Sequence, residues 1–292
     1  MNLPKFNQDS WVGRIADDFT TTTVAIVSKA VGLWMLQEGL KSVMIGFDTR
    51  FGGSMFAQKA AAQFATMGLN VTLTDKVITS PILVLNMVKH EVDIGIMFTA
   101  SNLPAEYNGM KMKGISSQKS MDLINSYIDH DENNASQTKF SDTDIQIMDM
   151  EEAYLQYIRA AIDLDLLVKS EKILAFDAMY GATQFAFEKL LPGSMKLRCD
   201  FNPMFDHVVP HPNPESLSVL SNVVKGVDFA LGGFGVNSDG EILAMCDENG
   251  QFFNPYDFLS EEENIPWRDA LFISLKIAEK VIQSGRKLSE LI

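Results

Sequence analysis

The sequence predicts an α/β protein in which helices and strands alternate twice along the chain. Short, continuous apolar runs are typical of strands that are covered on both faces of a parallel sheet. Between them lie segments with apolar residues at a period of 3.6, which indicates helices. Alternation of this kind builds a doubly wound sheet. A chain of 292 residues that is 46% hydrophobic suffices for two domains with their own cores.

The first alternation occupies the N-terminal half of the chain. Its last strand ends at Phe98 and is apolar throughout, which indicates burial on both faces. The pattern predicts helices and strands in turn, over residues 22–39 (helix), 43–47 (strand), 56–67 (helix), 71–74 (strand), 81–89 (helix) and 93–98 (strand).

A polar stretch over residues 129–143 follows, rich in Asp, Asn, Ser, Gln and Thr. It has almost nothing to bury, which is typical of a domain boundary or an exposed excursion. Beyond it the alternation restarts, with elements predicted over residues 148–164 (helix), 172–177 (strand), 182–190 (helix), 196–199 (strand), 216–224 (helix) and 229–231 (strand).

Composition argues against several classes of function. The formal charge of −14 argues against a nucleic-acid partner, which requires clustered Lys and Arg. No apolar run reaches membrane-spanning length, and the polar first ten residues lack the apolar core of a signal peptide, so we expect a cytoplasmic protein with no membrane partner. Two cysteines, Cys199 and Cys246, are too few for a disulfide framework or a four-thiolate metal site.

The most informative stretch, residues 99–113, reads Thr-Ala-Ser-Asn-Leu-Pro-Ala-Glu-Tyr-Asn-Gly-Met-Lys-Met-Lys. It puts the hydroxyl of Ser101 just past a buried strand, at the edge where open α/β sheets place their ligands. We interpret the stretch as a phosphoryl-transfer loop. The alternative is a loop serine that makes a local turn hydrogen bond.

This stretch resembles the phosphoserine loop of the α-D-phosphohexomutases, the family of phosphoglucomutase and phosphomannomutase. That loop reads Thr-Ala-Ser-His-Asn-Pro, followed by Glu-Tyr-Asn-Gly and Lys, so Asn102 replaces its His and Leu103 its Asn. Further stretches resemble the family in the same order, namely residues 11–20, 43–50, 172–181 and 210–215.

The resemblance implies two consecutive three-layer α/β/α domains with mixed, mostly parallel sheets, plus a C-terminal helix. We expect domain I with the phosphoserine-type loop over residues 1–145, domain II with a degenerate metal-type loop over 146–260, and a helical remnant of domain III over 261–292. The motifs of the family's sugar-recognition and phosphate-binding loops are not found, which indicates a truncated, degenerate member. The apolar helix over residues 268–283 packs either on the second domain or against a second copy or a partner protein.

The resemblance further implies intramolecular phosphoryl transfer on hexose phosphates through a phosphoserine, here Ser101, with Lys111 matching the catalytic loop lysine. Arg50 matches a strand arginine of the family. For Lys111 and Arg50, a solvated position or an ion pair with Asp48 is an equally good interpretation.

Hexose phosphate is therefore the expected ligand, with Arg14, Arg50 and Asn102 as candidate substrate- or phosphate-binding residues. Arg14 lies two residues past Val12, which aligns with an arginine of the family.

The family's metal loop, Asp-Gly-Asp-Ala-Asp-Arg, aligns with residues 237–242, Asn-Ser-Asp-Gly-Glu-Ile. The resemblance thus implies Mg²⁺ with Asn237, Asp239 and Glu241 as ligands. Because Mg²⁺ demands oxygen ligands in near-octahedral geometry, we expect it to bind weakly or not at all here. The alternative is a plain hairpin with Asp239-Gly240 in its turn, a signal that Asn249-Gly250 repeats.

Three positions at which the family has arginine are apolar in this chain: Val12, Phe47 and Ile242. An apolar group cannot replace the bidentate grip of a guanidinium on phosphate. We therefore predict that turnover is lost or greatly impaired. The alternative is a non-catalytic pseudoenzyme that serves binding, assembly or regulation, in partnership with a complete mutase.

Overall fold

The computed structural model describes residues 4–114, 117–130, 145–258 and 268–292. It divides into two compact units. The first comprises Met1–Ala100 and Ala105–Met150, and the second Ser101–Pro104 and Glu151–Ile292. Most of the polar stretch in which the sequence predicts a domain boundary lies outside the described residues, so the predicted domain bounds stay a prediction.

The first unit contains a six-stranded sheet and four helices among its described residues. In chain order these are β1 (Ser10–Arg14), α1 (Thr21–Gln37), β2 (Ser42–Phe47), α2 (Gly53–Thr66), β3 (Asn70–Thr74), α3 (Ser80–Lys89), β4 (Ile94–Phe98), β5 (Tyr107–Lys113), α4 (Gln118–His130) and β6 (Ile145–Met148).

The strands of this sheet are ordered β1-β5-β4-β2-β3-β6. Strands β4, β2, β3 and β6 are parallel neighbours. Strand β5 is antiparallel to both β1 and β4. The sheet is therefore mixed, with a parallel centre and one antiparallel edge.

Strand β4 shows how the sheet separates two layers of helices. Ile94, Ile96 and Phe98 belong to the core that is shared with α1, α2 and α4. Gly95 faces the other way, where an added Cβ would overlap the sulfur of Met87 on α3. Since alternate residues of a strand point to opposite faces, helices cover both sides of the sheet.

The second unit contains a five-stranded sheet. Its elements are α5 (Glu151–Ala161), α6 (Leu164–Lys169), β7 (Ile173–Asp177), α7 (Thr183–Leu190), β8 (Lys196–Leu197), α8 (Ser218–Lys225), β9 (Ala230–Val236), β10 (Leu243–Asp247), β11 (Phe252–Phe253) and α9 (Ala270–Ser284). The order is β11-β10-β9-β7-β8, in which β9, β7 and β8 are parallel and the hairpin strands β10 and β11 are antiparallel.

Helix α9 packs inside the second unit, against α6 and β9. Asp269 caps it by accepting a hydrogen bond from the N–H of Phe272 (3.0 Å), and Gly285, with φ 66°, ends it. The first of the two alternatives for this helix is thus observed, and a contact with a second copy or a partner stays a prediction. Its buried apolar residues are Ala270, Leu271, Ile273, Leu275, Ile277, Ala278 and Val281.

The predicted fold class is confirmed: the chain is α/β, with two mixed sheets, helices that pack on them and a C-terminal helix. Within the described ranges, no helix is both long and apolar enough to cross a bilayer.

Several local predictions differ from the structure. The strand expected over residues 229–231 extends over Ala230–Val236, and the one expected over 196–199 is only Lys196–Leu197. The helix expected over residues 148–164 begins only at Glu151 and ends at Ala161, because Asp163 caps a separate helix, α6. Residues 107–113, interpreted as part of a loop, form strand β5. Its alternation of buried Met110 and Met112 with partly exposed lysines is the strand signal that the loop motif obscured.

Candidate functional site

Ser101 is the third residue after the end of β4 and, by its contacts, belongs to the second unit. Its backbone has φ 52°, a left-handed conformation that costs a residue with a Cβ on the order of 1 kcal/mol. Surrounding contacts must hold a non-glycine residue there. One is the hydroxyl of Ser238, which donates a 2.6 Å hydrogen bond to the carbonyl oxygen of Ser101. The serine that the motif singled out is therefore held in a strained, defined position.

The side-chain amide of Asn237 reaches the Ser101 hydroxyl. Its Nδ2 donates to Oγ of Ser101 (2.9 Å) and to Oδ1 of Asp239 (2.7 Å). Its Oδ1 accepts from the backbone N–H groups of Glu241 (3.0 Å) and Ile242 (2.9 Å). Because a backbone N–H can only donate, these two bonds fix which end of the amide is the oxygen. The nitrogen therefore faces Ser101.

These residues lie in the turn between β9 and β10, so the hairpin that was the alternative interpretation of this stretch is observed. The N–H of Gly240 donates to the carbonyl of Asn237 (3.3 Å), and Gly240 has φ 84°, which suits glycine. The N–H of Ala182, after β7, donates to the carbonyl of Ser238 (2.9 Å). Asn237, Ser238 and Asp239 are completely buried, so the turn is a packed part of the unit.

The orientation of Asn237 does not fit a magnesium ligand. Ligation would need its carbonyl oxygen, which already accepts hydrogen bonds from Glu241 and Ile242. The side that faces Ser101 and Asp239 carries N–H donors, which repel a cation. Asn237, Asp239 and Glu241 thus lie in one turn, as the alignment predicted, but not as three oxygen donors. Over the described ranges, no group of three His, Cys, Asp or Glu residues could hold a metal ion.

Asn102 lies next to a histidine of the Pro-rich stretch. Its Nδ2 is 2.8 Å from Nδ1 of His211, and the hydroxyl of Ser216 donates to the carbonyl of His211 (2.6 Å). Residues 101–104 are thus held by the turn after β9 and by this stretch. A phosphate-binding role for Asn102 stays a prediction.

Arg50 is a buried residue of the first unit, with no exposed side-chain surface. Its Nη1 donates to the carbonyl of Tyr107 (3.1 Å), and its Nε lies 3.5 Å from Oδ2 of Asp48. Asp48 also accepts from the hydroxyl of Thr99 (2.7 Å). The ion pair with Asp48 that was one alternative is therefore present, and contact with phosphate stays a prediction.

Arg14 and Lys111 lie on neighbouring strands of the first unit. Arg14 is exposed at the end of β1, opposite Tyr107 of β5, and Lys111 is partly exposed on β5, opposite Ser10. Both side chains belong to the antiparallel edge of the sheet, and their predicted roles stay predictions.

The sequence reasoning missed an ion pair at the carboxyl end of the second sheet. Nε of Arg198 donates to both carboxylate oxygens of Asp177 (2.8 and 3.0 Å), and Nη2 donates to Oδ2 (2.6 Å) and to the carbonyl of Ser216 (3.0 Å). The Asp177 side chain is 1% exposed. The available signal was an acidic and a basic residue, each within the last two residues of one of two predicted strands.

Residues 3–134 match the family model for phosphoglucomutase/phosphomannomutase alpha/beta/alpha domain I. Phosphoglucosamine mutase of Staphylococcus saprophyticus is 28% identical over 263 residues, which cover 85% of this chain and 56% of that protein. Residues 3–134 belong to the phosphohexomutase family. A phosphoglucomutase/phosphomannomutase of Thermococcus kodakarensis is 26% identical over 253 residues, which cover 82% of this chain and 54% of that protein.

The chain spans about half the length of the curated relatives it matches. Among solved structures, a Thermus thermophilus protein assigned to the phosphomannomutases superposes with a TM-score of 0.87 at 23% identity, covering 99% of this chain and 82% of that one. A phosphoglucomutase/phosphomannomutase family protein of Burkholderia thailandensis gives a TM-score of 0.71 at 21% identity, covering 85% and 55%. At these identities the structures show a shared fold.

Proposed function

We propose that this chain is a phosphohexomutase-family protein of carbohydrate metabolism that binds hexose phosphates at Ser101 but has lost, or nearly lost, their interconversion. The observation that carries the proposal is the amide of Asn237, which presents N–H donors to the Ser101 hydroxyl in place of a cation's oxygen ligands.

Phosphoryl transfer depends on positive charge around the phosphoryl group that is transferred. Among the described residues of the second unit, the side chains hydrogen-bonded to Ser101 include the neutral groups of Asn237 and Ser238, and the next residue, Asp239, is acidic. In these contacts, a developing negative charge would meet neutral hydrogen-bond donors rather than a guanidinium or an ammonium group.

The family's arginine positions support the same conclusion. Phe47 is buried in the core of the first unit, Val12 is 38% exposed on β1, and Ile242 precedes β10. None of these apolar side chains can donate the hydrogen bonds by which arginine binds a phosphate. Under this proposal, Ser101 and Lys111 are the remaining catalytic-loop residues, and Arg14, Arg50 and Asn102 the remaining candidates for substrate contacts.

A coupled assay with glucose 1-phosphate, mannose 1-phosphate and glucosamine 1-phosphate, each with its bisphosphate and Mg²⁺, tests turnover. Calorimetry with the same sugars tests binding. We expect saturable binding of the sugar phosphates. The kcat of ordinary enzymes is about 1–10³ s⁻¹, and we expect a kcat at least about 10³-fold lower than that range. A kcat in that ordinary range would overturn the proposal.

Intact mass after incubation with glucose 1,6-bisphosphate reports on Ser101 directly, with Ser101→Ala as the matched control. A phosphoryl gain in the wild type alone would assign a phosphorylated, regulatory form. Absence of both mass gain and sugar binding would favour the sequence-based alternative, assembly with a complete mutase, which co-elution with such an enzyme would test. The cytoplasmic location stays a prediction.

A further inference from the structure

We propose that Asn237 is the residue that excludes divalent cations from the Ser101 site, and that Asn237→Asp converts this turn into a site for Mg²⁺ or Mn²⁺. The inference deepens the proposed function and rests on it only in treating Ser101 as the position of interest.

The amide group of Asn237 lies next to both the Ser101 hydroxyl and the Asp239 carboxylate. Nδ2 of Asn237 lies 2.9 Å from Oγ of Ser101 and 2.7 Å from Oδ1 of Asp239. A magnesium ion contacts its oxygen ligands at about 2.1 Å. A cation that bound these two oxygens on the side of the amide would meet the N–H groups of Asn237. That nitrogen has no lone pair to offer it.

A flip of the Asn237 amide is unfavourable. A flip would aim the NH₂ group of Asn237 at the N–H groups of Glu241 and Ile242, leaving buried donors to face donors. Each unsatisfied buried donor costs about 1–3 kcal/mol. The present orientation is therefore strongly favoured.

The backbone of the turn is held in place by its neighbours. A Cβ on Gly181 would lie 2.8 Å from the carbonyl oxygen of Asn237 and 2.9 Å from Cα of Ser238, so the loop after β7 packs directly on the backbone of the turn. On another side, the N–H of Ala270 donates to the carbonyl of Gly240 (3.1 Å) and ties the turn to the start of α9.

Asn237→Asp exchanges the side-chain nitrogen of residue 237 for an oxygen. In Asn237→Asp, one carboxylate oxygen keeps the two backbone hydrogen bonds and the other replaces Nδ2. That second oxygen then faces the carboxylate of Asp239 and the hydroxyl of Ser101. Two carboxylates this close cannot both stay ionised without a proton or a cation between them. The variant therefore creates an oxygen-lined position with a strong preference for a cation.

The test is Mn²⁺ binding by electron paramagnetic resonance and Mg²⁺ binding by calorimetry, on the full chain without sugar. Asn222→Asp is the matched control, because Asn222 is an exposed residue of α8 and the charge change is the same. We expect Asn237→Asp to bind Mn²⁺ at least about tenfold more tightly than the wild type and Asn222→Asp, and its melting temperature alone to rise with Mg²⁺.

The proposal is overturned if Asn237→Asp binds Mn²⁺ no better than Asn222→Asp. The wild type gives a second test that needs no foldable Asn237 variant: saturable Mn²⁺ binding by the wild type that Asp239→Asn abolishes would also overturn it. Hexose phosphate turnover by the wild type would refute the proposed function, while this sugar-free cation measurement would stand on its own.

Discussion

The hydroxyl of Tyr154 donates a 2.9 Å hydrogen bond to Oδ1 of Asp269, joining α5 to the N-terminus of α9 in the second unit. Both side chains are buried. Burial raises the pKa of Asp269 from its ordinary 3.8 to about 6, because a desolvated site disfavours the carboxylate. The same desolvation raises the pKa of Tyr154 well above 10. The link between these helices therefore contains a carboxyl group that retains its proton in mild acid.

This pKa predicts a pH-dependent stability. Below pH 3.8 Asp269 is protonated in both states, so the stabilisation is fully present. It is lost as the pH rises through about 6, since the unfolded chain releases the proton first. Asp269→Asn keeps a capping side chain without this titration. The free-energy difference between variant and wild type should change by up to roughly 3 kcal/mol, at about 1.4 kcal/mol per pKa unit. Urea unfolding at pH 4, 5, 6 and 7 measures it, and parallel pH profiles would contradict the prediction.

The ion pair of Arg198 with Asp177 predicts a large loss on truncation. Arg198→Ala leaves the carboxylate of Asp177 buried without its guanidinium, and the expected loss of unfolding free energy is about 3–5 kcal/mol. Denaturant unfolding checks it. As a control, Lys196→Ala removes a pair with the half-exposed Glu188 and should cost less than about 1 kcal/mol. Similar losses for both variants would show that burial does not govern these pairs.

The left-handed backbone of Ser101 predicts an unusual order of stability between two variants. Ser101→Ala and Ser101→Gly both remove the hydroxyl that accepts from Asn237, but only glycine relieves the strain at φ 52°. Ser101→Gly should therefore be more stable than Ser101→Ala by about 1 kcal/mol. Thermal or urea unfolding of the two proteins side by side makes the comparison. If the alanine variant were equally or more stable, the backbone at Ser101 would not be strained.

We expect both cysteines of the folded chain to react slowly with an alkylating reagent. Burial raises the pKa of Cys199 to about 12 and that of Cys246 to about 11, from an ordinary 9.0. Because the thiolate is the reactive form, iodoacetamide at pH 8 should label the folded chain far more slowly than the chain in guanidinium chloride. Mass spectrometry over time follows the reaction, with glutathione as the reference thiol. Rapid labelling of the folded chain at either position would show an accessible thiolate.

Much of the fold and part of the site were predictable because the information is local. The alternation of apolar runs and helical periods marks helices and strands through neighbouring residues, and it placed α1, β2 and β4 to within a few residues of their observed bounds. The Ser101 stretch and the turn at Asp239-Gly240 were likewise visible as short motifs. The strand β5 was missed because its alternation of buried methionines and lysines lies inside the loop motif.

The sequence by itself determined the α/β class, the phosphohexomutase kinship and the position of the candidate hydroxyl, since these depend on residue types at short spacing. Only the tertiary structure decided which end of Asn237 faces Ser101, how Arg198 meets Asp177 and how deeply Asp269 is buried. The reason is distance along the chain: 136 residues separate Ser101 from Asn237, and the orientation of a neutral amide depends on backbone donors that only folding brings to it.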